Sequence, residues 1–164
     1  MARHLDVEPN ASAAHKQSRR TIAGARAQNV DELILPALSR GEIVLCDRFT
    51  DSSMVYQGAA RGLGTEVVYE VDRIACRGLV PDMTIVIDID TKLGLERAHG
   101  RNRKTQDVET RLDEQAIGFH RKVREAYLQL ATDEPKRVKL IDGSRSEKDV
   151  ADDVWNAIQQ LIGT

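Results

Sequence analysis

Three short apolar runs each end in an aspartate: Ile43-Val44-Leu45-Cys46 before Asp47, Met83-Thr84-Ile85-Val86-Ile87 before Asp88, and Val138-Lys139-Leu140-Ile141 before Asp142. Such runs are too short for a buried helix, and as continuous apolar stretches they predict strands buried on both faces. Segments of helical periodicity separate them. Val30, Leu33, Ile34, Ala37 and Leu38 share one face of a helix that Pro36 should bend and Gly41 should end. Thr65 can cap a helix with Val67, Val71, Ile74 and Ala75 on one side, ended by Gly78. Leu93, Leu95 and Ala98 mark another, and Ile117, His120, Val123, Tyr127 and Leu130 form the stripe of a long one, with Pro135 beyond its end. Ser146-Glu147-Lys148-Asp149 resembles a capping box that opens a last helix facing inward through Val150, Val154, Ile158 and Leu161. Strands alternating with helices predict an α/β fold with a mainly parallel sheet, whose ligands sit at the carboxyl ends of the strands. Those ends are the three aspartates.

Composition narrows the function. A chain of 164 residues predicts one domain with a real core, and 41% hydrophobic with 30% charged residues is ordinary for a soluble protein. The net charge of -2 gives no field for nucleic acid or anionic lipid, and six aromatic residues leave little for stacking on single strands. No apolar run reaches the length of a membrane span, and residues 1–10 hold no apolar signal core. Cys46 and Cys76 lack metal or redox spacing, which fits a reducing cytosol, and Cys46 reads as a small buried hydrophobe at a strand end. A cytoplasmic protein without nucleic-acid or membrane partners is expected. His4, His15, His99 and His120 show no paired ligand spacing.

Chemistry concentrates in Asp47-Arg48-Phe49-Thr50-Asp51-Ser52-Ser53-Met54-Val55-Tyr56-Gln57-Gly58. An aspartate beside an arginine at the mouth of a strand offers a carboxylate for magnesium and a bidentate clamp for phosphate. Taken as a dipeptide, the pair reads first as an ordinary salt-bridged loop. Hydroxyl and amide groups five to nine residues on can hydrogen-bond a sugar or a base.

The full string DRFTDSSMVYQGAARGLG closely resembles the signature of bacterial thymidylate kinases, members of the P-loop nucleoside-monophosphate kinase group. The likeness extends through Ala27-Gln28-Asn29-Val30 and Ile34-Leu35-Pro36-Ala37-Leu38, then through Gly78-Leu79-Val80-Pro81-Asp82, Ile87-Asp88-Ile89-Asp90 and Phe119-His120-Arg121-Lys122-Val123-Arg124-Glu125-Ala126-Tyr127-Leu128. It covers about residues 22–162. The resemblance implies transfer of the γ-phosphoryl group of Mg-ATP to dTMP, giving dTDP for deoxynucleotide synthesis. Under it, Asp47 helps hold Mg2+ or its water shell, and Arg48 binds the acceptor phosphate and offsets transition-state charge. Arg26 matches the arginine that hydrogen-bonds thymine, while Ser53, Tyr56 and Gln57 line the thymidine pocket, Tyr56 crowding out a ribose 2′-hydroxyl. Arg101, Arg103 and Arg111 match a lid, over residues 99–113, that closes on the donor phosphates. For Arg101 and Arg103 a solvated charged loop is the competing reading, whereas Arg111 lies in Thr110-Arg111-Leu112-Asp113, where the family commonly has Asp-Arg-x-Glu. Asp88 and Asp90 could assist the magnesium site, Asp90 being an equally good helix cap. The family typically forms homodimers through helices.

The sequence also departs from the family. No GxxxxGK(S/T) string occurs in the 164 residues, and the glycine cluster Gly58-Ala59-Ala60-Arg61-Gly62-Leu63-Gly64-Thr65 has no lysine and follows no strand. The expected fold is therefore a nucleoside-monophosphate kinase-like single domain over residues 1–164, incomplete at its N-terminus, with the first strand and P-loop absent and residues 1–21 an atypical, mobile arm. In the family that first strand is flanked by the strands ending at Cys46 and Ile87, so their edges are expected to lack a partner. Arg19, Arg20 and Thr21 stand where the family has leucines. Ile22 replaces an aromatic that stacks on thymine, a loss of about 1 kcal/mol of base affinity. A kinase unable to turn over ATP by itself, a non-catalytic nucleotide-binding remnant and a partner-binding protein are the three functional expectations.

Overall fold

Thr84–Asp88 (β1) and Val138–Asp142 (β2) form a two-stranded parallel sheet in the computed structural model of the chain. The structure describes residues 23–62, 64–101 and 110–163, with 98–101 and 110–116 as helical backbone. Thr84 lies opposite Val138 and Asp88 opposite Asp142, so both aspartates finish the sheet at one end. The alternation of strand and helix is thus borne out as an α/β fold with a parallel sheet.

The described residues fall into two compact units, 48–62, 64–68, 81–101 and 110–163 in one, and 23–47 with 69–80 in the other. In the first, helix α2 runs over residues 50–60, starting as an α-helix over Thr50–Ser53 and widening to a π-helix over Met54–Ala60. Thr91–Arg101 (α4), Thr110–Asp133 (α5) and Glu147–Ile162 (α6) complete it. Among its described residues Val55, Val68, Val123, Ala131, Val138 and Ile141 are buried and apolar. Asp90 caps α4, its Oδ1 accepting from the backbone N–H of Lys92 and Leu93. Ser146 caps α6 as the sequence predicts: its Oγ accepts from the Asp149 N–H, satisfying one orphan donor of the helix start, and donates to the Asp149 carboxylate. Gly143 lets the chain turn tightly after β2. A Cβ there would meet Ile87 Cγ2 at 2.7 Å, and its N–H donates to the Asp88 carbonyl.

The other unit is built on helix α1, residues 23–39. Ahead of Pro36 the hydrogen-bond pattern changes: Val30–Ile34 widens to a π-helix, and the Leu35 N–H reaches the Val30 carbonyl. A proline lacks an N–H and crowds the carbonyl four residues back, and an extra residue in that turn relieves both. Gly41, at φ 75°, closes the helix, with Gly41 N–H to Leu38 and Glu42 N–H to Ala37.

Helix α3, Thr65–Ala75, corrects the predicted face by one residue. Val68, Asp72, Ala75 and neighbouring Cys76 are buried, while Val67, Val71 and Ile74 are exposed. The pattern Val67, Val71, Ile74 is helical but so is Val68, Asp72, Ala75, and the ion pair of Asp72 described below draws the second stripe inward. Its C-terminal turn places Arg77 and Gly78 at positive φ.

A second correction concerns Ile43-Val44-Leu45-Cys46, which forms no strand. Ile43 is 78% and Leu45 93% exposed, and Cys46 is exposed rather than buried. A strand is held by its ladder, and no neighbouring strand offers this segment its N–H and C=O groups among the described residues.

Candidate active site

The DRF motif folds as a bend at Asp47 and Arg48 leading into α2. Arg48 adopts φ 64°, a left-handed conformation costing a non-glycine residue about 1–2 kcal/mol. Its guanidinium lies over the ring of Tyr56, 5.1 Å from the centroid. One turn of helix brings Ser53, Tyr56 and Gln57 into a contiguous i, i+3, i+4 cluster. Ser53 is buried, and the side-chain Oε1 of Gln57 is buried with no hydrogen-bond partner among the described residues. A buried carbonyl oxygen left in that state is costly.

Two sets of contacts fix α2. Thr84 Oγ1 and the Arg137 guanidinium both donate to the Asp51 carboxylate, at 2.5 to 2.9 Å, pinning the first turn where β1 and β2 begin. The pair is largely buried, and two carboxylates, those of Asp51 and Glu134, hold the Arg137 guanidinium well above its ordinary pKa. On the other side Tyr56 packs against Phe119 and Tyr127, with centroids 6.0 and 6.5 Å apart, and Ser52 Oγ shares a 2.9 Å hydrogen bond with the Tyr127 hydroxyl. Burial pushes the Tyr127 phenol up, against the lowering effect of that bond.

The far end of β1, about 13 Å from Thr84 at strand rise, carries Asp88. Arg124 grips it bidentately at 2.7 and 2.9 Å and reaches Asp90 at 3.9 Å, so one protein cation faces two carboxylates near the sheet end. The Asp88 hydrogen bond raises the Arg124 pKa. Asp142 accepts from the Ser144 backbone, and hydrogen bonds from Ser144 hold its carboxyl below the usual range.

In the other unit, Arg26 donates to Asp72 at 2.6 Å, with both side chains largely buried. Asp47 stands exposed at the bend. A magnesium ion bound through one carboxylate, with nucleotide phosphates and water completing its octahedron, suits an exposed aspartate of this kind. No cluster of three or more metal-ligating side chains occurs among the described residues.

The sequence profile of the thymidylate kinase family matches residues 4–154. The chain belongs to the thymidylate kinase family. It is 44% identical over 157 residues to a thymidylate kinase of Pelobacter propionicus, covering 95% of this chain and 71% of that protein. The thymidylate kinase of Desulfovibrio desulfuricans is 43% identical over 160 residues, covering 96% and 73%. That of Solidesulfovibrio magneticus is 42% identical over 139 residues, covering 84% and 66%. The crystal structure of thymidylate kinase from Ehrlichia chaffeensis shares the fold, with a TM-score of 0.66 at 23% identity over 88% of this chain and 65% of that one. The chain thus spans about two thirds to three quarters of the length of these thymidylate kinases. No helix among the described residues is long and apolar enough to cross a membrane.

Within this thymidylate kinase relative, Arg48, Ser53, Tyr56 and Gln57 come together around α2, whereas Arg26 and Asp47 belong to the other unit. Arg101 and Arg111 lie on the α4 and α5 backbones, and Arg103, Ile22 and the arm over 1–21 fall outside the described residues. Asp51 was legible only as part of the motif. Its partner Arg137 was not legible at all, because the two lie 86 residues apart and neither local pattern points to the other.

Proposed function

We propose that this chain carries the acceptor side of a thymidylate kinase, a phosphotransferase that moves the γ-phosphoryl group of Mg-ATP to dTMP and releases dTDP and ADP. The unpaired buried Oε1 of Gln57 beside Ser53, Tyr56 and Arg48 is the observation that carries this reading. The imino N–H of a thymine ring supplies the missing donor, the Arg48 guanidinium a clamp for the acceptor phosphate, and Tyr56 a wall against a 2′-hydroxyl. Asp47 would hold the magnesium ion that accompanies the donor nucleotide and shields its phosphate charge. Arg26, paired to Asp72, would meet the base, while Arg101, Arg103 and Arg111 would form a lid on the donor phosphates over residues 99–113.

The 164 residues hold no lysine-bearing phosphate loop, so ATP turnover by this chain by itself is not expected. A second reading is a non-catalytic relative that retains nucleotide binding. Residues 1–164 act as one functional domain in the cytoplasm, and a homodimer follows from the family.

Calorimetric titration of the folded chain with dTMP, against dUMP, dGMP and ATP, tests the shared core of both readings. Saturable dTMP binding that Arg48→Ala abolishes is the expected result. A folded sample that binds none of these nucleotides overturns both readings, whereas equal affinity for dTMP and dGMP overturns the thymine pocket.

A further inference from the structure

Arg48 is exposed and has a long, flexible side chain, yet its guanidinium rests on one face of Tyr56. A ring steadies a cation resting on it only as far as the ring itself is held. The Tyr56 ring is held in turn by two neighbours from α5: Phe119, tilted at 58°, and Tyr127, edge-on at 75°. Tyr127 is fixed at its far end, where its hydroxyl meets Ser52, one turn before Tyr56 on α2. Phe119 has an arginine of its own, Arg61, 5.8 Å from its centroid. The contacts form a closed path, Ser52 to Tyr127 to Tyr56 and back along the helix, with Arg48 seated on its outer face. Rotation of Tyr56 would require Tyr127 to move, and Tyr127 is tethered to the helix that carries Tyr56.

We propose that Tyr127 is a positioning residue for Arg48, acting through the Tyr56 ring so that the guanidinium is presented to the acceptor phosphate in a single orientation. The inference deepens the acceptor-site reading and rests on it for the identity of the ligand. It does not rest on it for the geometry.

The experiment compares the folded chain with its Tyr127→Phe and Tyr127→Leu variants. Calorimetry reads the affinity for dTMP and for thymidine, which lacks the phosphate. Tyr127→Leu is expected to weaken dTMP binding about five-fold, the size of one cation–π contact, and to leave thymidine affinity within about two-fold. Tyr127→Phe keeps the ring and loses only the Ser52 bond, so its dTMP loss should be smaller. Equal losses for dTMP and thymidine would mean a general packing role and overturn the proposal. A ligand-free readout runs beside it: the Arg48 side-chain protons should show an upfield ring-current shift, assigned by its disappearance in Arg48→Ala. Tyr127→Leu should move those resonances toward free arginine, and Tyr127→Phe should not. An unchanged shift in Tyr127→Leu overturns the proposal whatever binds. If no dTMP binds to the original chain but the shift responds, Tyr127 positions Arg48 as proposed and the thymidylate reading alone fails.

Discussion

Asp51 and Arg137, 86 residues apart, are joined by two N–H···O bonds of 2.7 and 2.9 Å, with side chains 13% and 14% exposed. The pair ties the helix that follows the DRF motif to the start of the sheet, and Thr84 Oγ1 gives the same carboxylate a third donor. An aspartate inside a phosphate-transfer signature is thus occupied in holding the scaffold. Removing one partner strands the other's charge, at a cost of about 3 kcal/mol, whereas replacing both with apolar groups avoids that penalty. Arg137→Met should lower urea stability by about 3 kcal/mol, and Asp51→Leu with Arg137→Met should restore at least half of it. Strictly additive losses in that cycle would show that the two do not act as a unit.

Gln57 presents the opposite balance. Its buried Oε1 has no partner among the described residues, so the side chain is expected to destabilise the ligand-free protein. Gln57→Met, similar in volume, should raise the melting stability by about 1 kcal/mol while removing dTMP binding. A variant that melts lower and still binds dTMP would mean that the amide already has a structural task.

Cysteine reactivity should divide sharply. Cys46 is exposed and Cys76 fully buried, and burial, against the lowering effect of Arg26, pushes the Cys76 thiol up to about 11. At pH 8 a disulfide reagent should label one thiol within minutes and the second only on denaturation. The buried thiol also makes stability depend on pH. Its contribution is complete below the unfolded pKa near about 8.5 and is lost as pH rises through about 11, because the unfolded chain releases that proton first.

Tyr127 adds to the same alkaline limit. Its phenol is raised by burial, so folding favours the neutral form, and the stability it lends fades only above the ordinary phenol pKa of about 10. Once Cys76→Ala removes the thiol's share, Tyr127→Phe should flatten the remaining fall in melting temperature above pH 10. An identical slope with and without the hydroxyl would place the alkaline sensitivity elsewhere.

Leu45 is 93% exposed and Ile43 78%, so neither contributes to the core of its unit. Leu45→Lys should leave the melting temperature within about 2 °C, a surface-sized change of under about 0.5 kcal/mol. Light scattering over a range of concentrations should show less self-association in this variant, since an exposed aliphatic run is adhesive. A large fall in stability would mean that the run is buried in solution.

Local sequence by itself determined the elements whose causes are local. The Ser146 cap and the Gly41 turn each depend on a few neighbouring residues, and each was legible. Tertiary structure alone decided what depends on partners far along the chain. Ile43-Val44-Leu45-Cys46 has strand composition but no ladder, and composition cannot supply the missing hydrogen bonds. Which stripe of α3 turned inward was set by the Arg26–Asp72 pair, and the use of Asp51 by Arg137. Charge pairing of that kind acts through space over a few ångströms, and a sequence records no such distances until the chain has folded.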